Sequence, residues 1–124
     1  MNIRRINQNG VQVAVIEATE GIITDVQSSL DFMATVRHEV DCDRIAIPKS
    51  AVKEDFFILS TGIAGEILQK FVTYQVKLAI IGDYSKYTSK PLRDFIYESN
   101  RGGHIFFVAT EDEAIAKLAG APDA

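Results

Sequence analysis

Ile63-Ala64-Gly65-Glu66-Ile67-Leu68-Gln69-Lys70-Phe71, followed closely by Val76-Lys77-Leu78-Ala79-Ile80-Ile81-Gly82-Asp83, decides the fold class. Ile63, Ile67, Phe71 and Tyr74 recur at helical spacing and predict a helix over residues 61–73. Residues 76–81 are apolar at nearly every position and stop at Gly82-Asp83. A run apolar on both faces suits a strand inside a parallel sheet, where helices cover both sides.

Upstream, Arg44-Ile45-Ala46-Ile47 reads as a short strand closed by Pro48, and residues 49–55 as a charged loop. Thr24-Asp25-Val26-Gln27 has the form of a capping box, and Val26, Leu30, Met33, Val36 and Val40 follow at helical spacing. That predicts a helix over about residues 25–38. Asn9-Gly10 lies between two alternating runs, the strongest short-range hairpin signal, because both residues tolerate positive φ.

Downstream, Pro91 fits the first turn of a third helix with Leu92, Phe95 and Ile96 inward. Asn100-Arg101-Gly102-Gly103 would end it with left-handed residues. Ile105 to Ala109 forms the last strand, and Thr110-Glu111-Asp112-Glu113 caps a fourth helix with Ile115 and Leu118 inward. The order β-β-α-β-α-β-α-β-α implies an α/β fold with a mixed, mostly parallel five-stranded sheet and about four helices. One domain is expected over residues 1–120, with 121–124 as a frayed tail.

The 124 residues suit one domain, with 47% hydrophobic and 24% charged residues. The net charge of −4, with 13 basic residues scattered among 17 acids, argues against nucleic acid as a partner. No apolar stretch approaches the ~20 residues of a spanning helix, and the start of the chain lacks an apolar signal core. The single cysteine, Cys42, permits no internal disulfide. These features imply a cytoplasmic, bacterial-type protein without a membrane partner.

Ser60 to Phe71 and Tyr87 to Arg101 together resemble a bacterial family catalogued as domain of unknown function 4180. More distantly, residues 45–81 resemble the centre of the STAS domain, the fold of anti-sigma factor antagonists. In the turn Leu59-Ser60-Thr61-Gly62-Ile63-Ala64, that family's switch hydroxyl would fall on Ser60 or Thr61 and its helix-opening glycine on Gly62. Leu59 stands where the family carries Asp. The resemblance implies a STAS-like regulatory module, without catalysis or cofactor, that binds a protein partner.

Physically, a hydroxyl at a helix N-terminus can cap the helix, bind an anion or accept a phosphate. In the capping reading, Gly62 serves close approach of the helix. Phe56 and Phe57 are consecutive, so in an extended or irregular segment one would be exposed as an interface anchor; otherwise both are core. The expected docking surface therefore comprises Phe56, Phe57, Ser60, Thr61, Gly62 and Glu66. The alternative function is a small-molecule binder or small enzyme using the crevice beyond the strand ends, through Lys49, Asp83, Tyr84 and Lys86. No glycine-rich phosphate fingerprint supports a nucleotide there.

His38 and Cys42 offer too few ligands for a zinc site, so no metal is expected. His38 instead suits the C-terminal dipole of its helix. Cys42 with His38 or His104 would need a converging geometry to act as nucleophile and base. The acids at Glu54-Asp55, Asp41/Asp43 and Glu111-Asp112-Glu113 read as solvated or capping groups. A homodimer is compatible with the apolar content.

Overall fold

Asn9 and Gly10 both have positive φ, 53° and 84°, the backbone twist a two-residue hairpin turn needs. They join β1 (Asn2–Gln8) to β2 (Val11–Glu17) antiparallel, with Gln8 opposite Val11. Every later pairing is parallel: β2 with β3 (Arg44–Pro48), β3 with β4 (Lys77–Ile81), and β4 with β5 (Ile105–Val108). The order across the sheet is β1-β2-β3-β4-β5. This is the mixed, mostly parallel α/β sheet that the alternation of elements predicts. The coordinates are those of a computed structural model that describes residues 1–18 and 20–122.

Because the crossovers all step the same way across the sheet, α1 (Val26–Val40), α2 (Ile63–Thr73) and α3 (Lys90–Arg101) fall on one face. Phe32 and Val36 of α1, Ile67 and Phe71 of α2, and Leu92 of α3 share one core with Ile45, Ile47, Leu78 and Ile80. On the other face α4 (Glu111–Gly120) packs Ala114, Ile115 and Leu118 on Val13, Val15, Ala46, Ala79 and Phe106. The inner strands are thus covered on both faces. Burial of each large apolar side chain contributes roughly 1.5–3 kcal/mol. Among the described residues no helix is long and apolar enough to cross a membrane.

The boundaries differ from the sequence expectations for identifiable reasons. The cap of α1 is Asp25 rather than Thr24: its Oδ1 accepts from Ser28 N at 2.8 Å, and Ser28 Oγ accepts from Asp25 N at 3.0 Å. Gln27 turns instead to Asp31. The helix continues past residue 38 to Val40, where left-handed Asp41 (φ 48°) stops it. The expected loop after Pro48 winds into short 3₁₀ turns at Lys49–Ala51, Glu54–Phe57 and Leu59–Thr61, so α2 begins at Ile63 rather than 61.

At the end of α3, Gly102 is not left-handed (φ −82°), and Asn100 is still inside the helix. Thr110 caps α4 as expected, accepting from Glu113 N. In the stretch read as a frayed tail, Ala121 O accepts from Arg44 Nη1 at 2.7 Å and Pro122 lies against Gly103; residues 123 and 124 lie outside the described residues.

Candidate functional site

Beyond the carboxyl end of β3 the chain turns through the 3₁₀ segments, and here the aromatic expectation is corrected. Phe56 and Phe57 are both core, 2% and 4% exposed. Successive residues in a 3₁₀ turn are separated by about 120° rather than the 180° of a strand, so two neighbours can face inward together. Phe57 stacks on Tyr87 at 5.2 Å between ring centres and meets Phe56 edge-on at 5.0 Å. The exposed apolar side chain is the next residue, Ile58, at 49%.

The two hydroxyls of the following turn differ. Thr61 Oγ1 donates to Ile58 O at 2.8 Å and accepts from Ile63 N at 3.2 Å, so it is committed to the turn that leads into α2. Ser60 is exposed, and its hydroxyl makes no hydrogen bond among the described residues. Gly62 is required by its φ of 77°, not by close approach: a Cβ there would meet nothing within 4 Å. Glu66 is exposed in the first turn of α2, where its charge suits the helix dipole.

A groove of about 450 Å³ separates Phe57 to Ser60 from Lys86 to Ser89 and the start of α3. Ser89 is the N-cap of α3, yet its side chain makes no capping bond. Beside the groove, Lys49 Nζ lies 3.2 Å from Glu54 Oε1 and over the rings of Phe57 and Tyr87, at 4.8 and 5.0 Å. Lys86 Nζ approaches the same carboxylate oxygen at 3.5 Å, and Tyr87 donates its hydroxyl to Glu54 Oε2 at 2.6 Å. Desolvation would raise the Glu54 pKa, but the bonds from Tyr87 and Lys49 outweigh it and hold the carboxyl below its ordinary range. Desolvation and the bond to Glu54 push the Tyr87 phenol up to about 12.

Of the four residues expected at a ligand crevice, Lys49 and Lys86 therefore meet at Glu54, while Asp83 and Tyr84 line a different groove. That groove, of about 550 Å³, also involves Phe107 and Glu113. It lies where β4 leads to α3 on one face and β5 leads to α4 on the other, the position where open α/β sheets form a crevice. Tyr84 donates to Ile80 O at 2.6 Å, and burial drives its pKa upward. Asp83 Oδ1 accepts from Ser85 N at 2.9 Å, and this backbone bond is the main cause of its lowered pKa.

Cys42 is buried and its Sγ faces the carbonyls of Gln12 and Arg44, at 3.4 and 3.3 Å; burial pushes the thiol pKa up. His38 sits in the last turn of α1, as its dipole role requires. Among the described residues no group of three His, Cys, Asp or Glu side chains is arranged to hold a metal. Sequence reasoning missed the joint role of Glu54 and Tyr87. They come from separate segments, and no spacing rule brings them together.

The chain matches the family described as "Domain of unknown function (DUF4180)" over residues 8–118. No curated protein matches the sequence. A solved structure from Thermotoga maritima, provisionally assigned as an anti-sigma factor antagonist, is 13% identical, with a TM-score of 0.45, over 94% of this chain and 93% of that one. It is of the kind named by the resemblance of residues 45–81, and at this level of similarity nothing about function follows from it.

Proposed function

This chain belongs to the DUF4180 family, and we propose that it is a regulatory interaction module. Its docking surface is the rim of Ile58, Ser60 and the groove toward α3, and its partner is a protein. The observation that carries this reading is the juxtaposition at residues 58–61. A half-exposed isoleucine stands two residues from an uncommitted serine hydroxyl, while the neighbouring threonine hydroxyl is taken up by the turn's own hydrogen bonds.

An exposed apolar side chain beside a groove is a natural anchor for a partner. A phosphate on Ser60 would add roughly −2 charge at that anchor and oppose apolar docking. The polar groups nearby support a binding role over chemistry, because Glu54, Tyr87, Lys49 and Tyr84 are committed to one another or to the backbone.

The test is affinity capture from the native host with the wild-type chain, Ile58→Asp, Ser60→Asp and Ser60→Ala. The first two variants are expected to lose the partner and the last to keep it. A partner retained equally by all four chains would refute the reading.

A second reading follows from the crevice between the β4 and β5 connections, lined by Asp83, Tyr84 and Glu113. There the chain would bind a small molecule. Ligand-induced thermal shifts abolished by Asp83→Asn, with capture unaffected, would favour it.

A further inference from the structure

At the opposite end of the sheet, three basic side chains stand side by side. Arg44 at the start of β3 pairs laterally with Lys77 at the start of β4. His104 extends the ladder next to Lys77, accepting from Leu78 N at 2.9 Å. Side chains alternate along a strand, and Ala46, Ala79 and Phe106, two residues further on, all face α4. The basic row therefore lies on the α4 face, with neighbours about 4.8 Å apart, the spacing of strands.

Arg44 is engaged: its guanidinium donates to the carbonyls of Leu118 and Ala121 at the end of α4. Lys77 is not. It is only 4% exposed, and its ammonium has no hydrogen bond or ion pair among the described residues. Nε2 of His104 is enclosed and makes no hydrogen bond among the described residues. The Lys77 stem is buried while its ammonium, beside a second cation, has no counter-charge among the described residues, and like charges side by side are costly in the folded state. An anion bridging the row would relieve that cost at both positions and give the imidazole a hydrogen-bond partner.

We propose that Lys77 and His104, braced by Arg44, form a binding site for a small oxyanion carrying a phosphate or carboxylate group. The ammonium supplies the charge and the imidazole N–H the direction. The site is independent of the Ile58–Ser60 rim, so capture experiments there do not bear on it.

The test is thermal unfolding of the whole chain in inorganic phosphate, in acetate and in chloride, at matched pH and ionic strength. The His104 ring protons are followed by NMR in the same titrations. A saturable rise in Tm with phosphate, acetate or both is expected, with His104 resonances moving over the same range. Response to one salt alone identifies which group the site takes. In Lys77→Met, which keeps the side-chain length, apparent affinity should fall at least tenfold.

An equal response in chloride, or a saturable response that persists in Lys77→Met, would mean an adventitious ion only and overturn the proposal. Unmoved His104 resonances in the wild-type chain would overturn it as well, whether or not the variant folds.

Discussion

Ser60 and Thr61 are adjacent hydroxyls with opposite commitments, and the difference is measurable. Thr61→Ala removes the acceptor for Ile63 N and the donor to Ile58 O, and should cost about 1 kcal/mol in urea unfolding, the usual net value of such a hydrogen bond. Ser60→Ala should stay within about 0.5 kcal/mol of wild type, as surface substitutions do. Ser-Thr-Gly before an apolar helix is readable from sequence as a cap. Which hydroxyl bonds the turn is not readable, because the 3₁₀ turn at Leu59–Thr61 sets their directions.

His104 gives a second prediction at this scale. Burial, and then the charge of Lys77, lower its pKa in the folded chain. The unfolded chain, with a pKa near ~6.5, takes up the proton first as the pH falls. Stability is therefore full above that value and declines as the pH drops through it toward the folded pKa. In chloride, Tm measured between about pH 8 and 5 should fall in the wild type and fall less in His104→Gln. Parallel curves would contradict this.

Among elements, the two edges of the sheet are treated differently. The outer edge of β5 is closed by Asn100 of α3: its Oδ1 accepts from Phe107 N at 2.7 Å, and its Nδ2 donates to Phe107 O at 3.1 Å. One amide side chain thus substitutes for a neighbouring strand. Asn100→Ala should cost roughly 1–3 kcal/mol, the penalty for stranding buried backbone groups. It should also raise aggregation on heating, since an unguarded edge invites strand pairing. Denaturant midpoints and light scattering would check both effects, and an unchanged midpoint would refute the first.

Nothing in Glu98-Ser99-Asn100-Arg101 marks this use. Local reading assigns Asn100 to a helix end, and only the tertiary approach of α3 to β5 reassigns it. By contrast, the apolar spacing of Ile63, Ile67 and Phe71 and the unbroken run at residues 76–81 identify α2 and β4 directly. In such segments burial follows from periodicity alone.

For the whole molecule, the sheet places its two ends in different chemical states. At the carboxyl end the ionisable groups are paired, and an apolar residue, Ile58, is left exposed. At the amino end a cation, Lys77, has no hydrogen bond or ion pair among the described residues. Neither asymmetry is legible in the sequence. Hydrophobic patterns report which face of an element is buried but not the lateral order of strands, and that order brings Arg44, Lys77 and His104 together. The same limit separates Asp83 and Tyr84 from Lys49 and Lys86, although all four follow strand ends.

The docking claim is tested most directly by hydrogen exchange, read by mass spectrometry, on the chain alone and in its captured complex. Slowed exchange confined to residues 58–62 and 86–92 is the expected result. Unchanged exchange there, with protection instead at residues 82–84 and 109–113, would contradict it and place recognition in the crevice between β4 and β5.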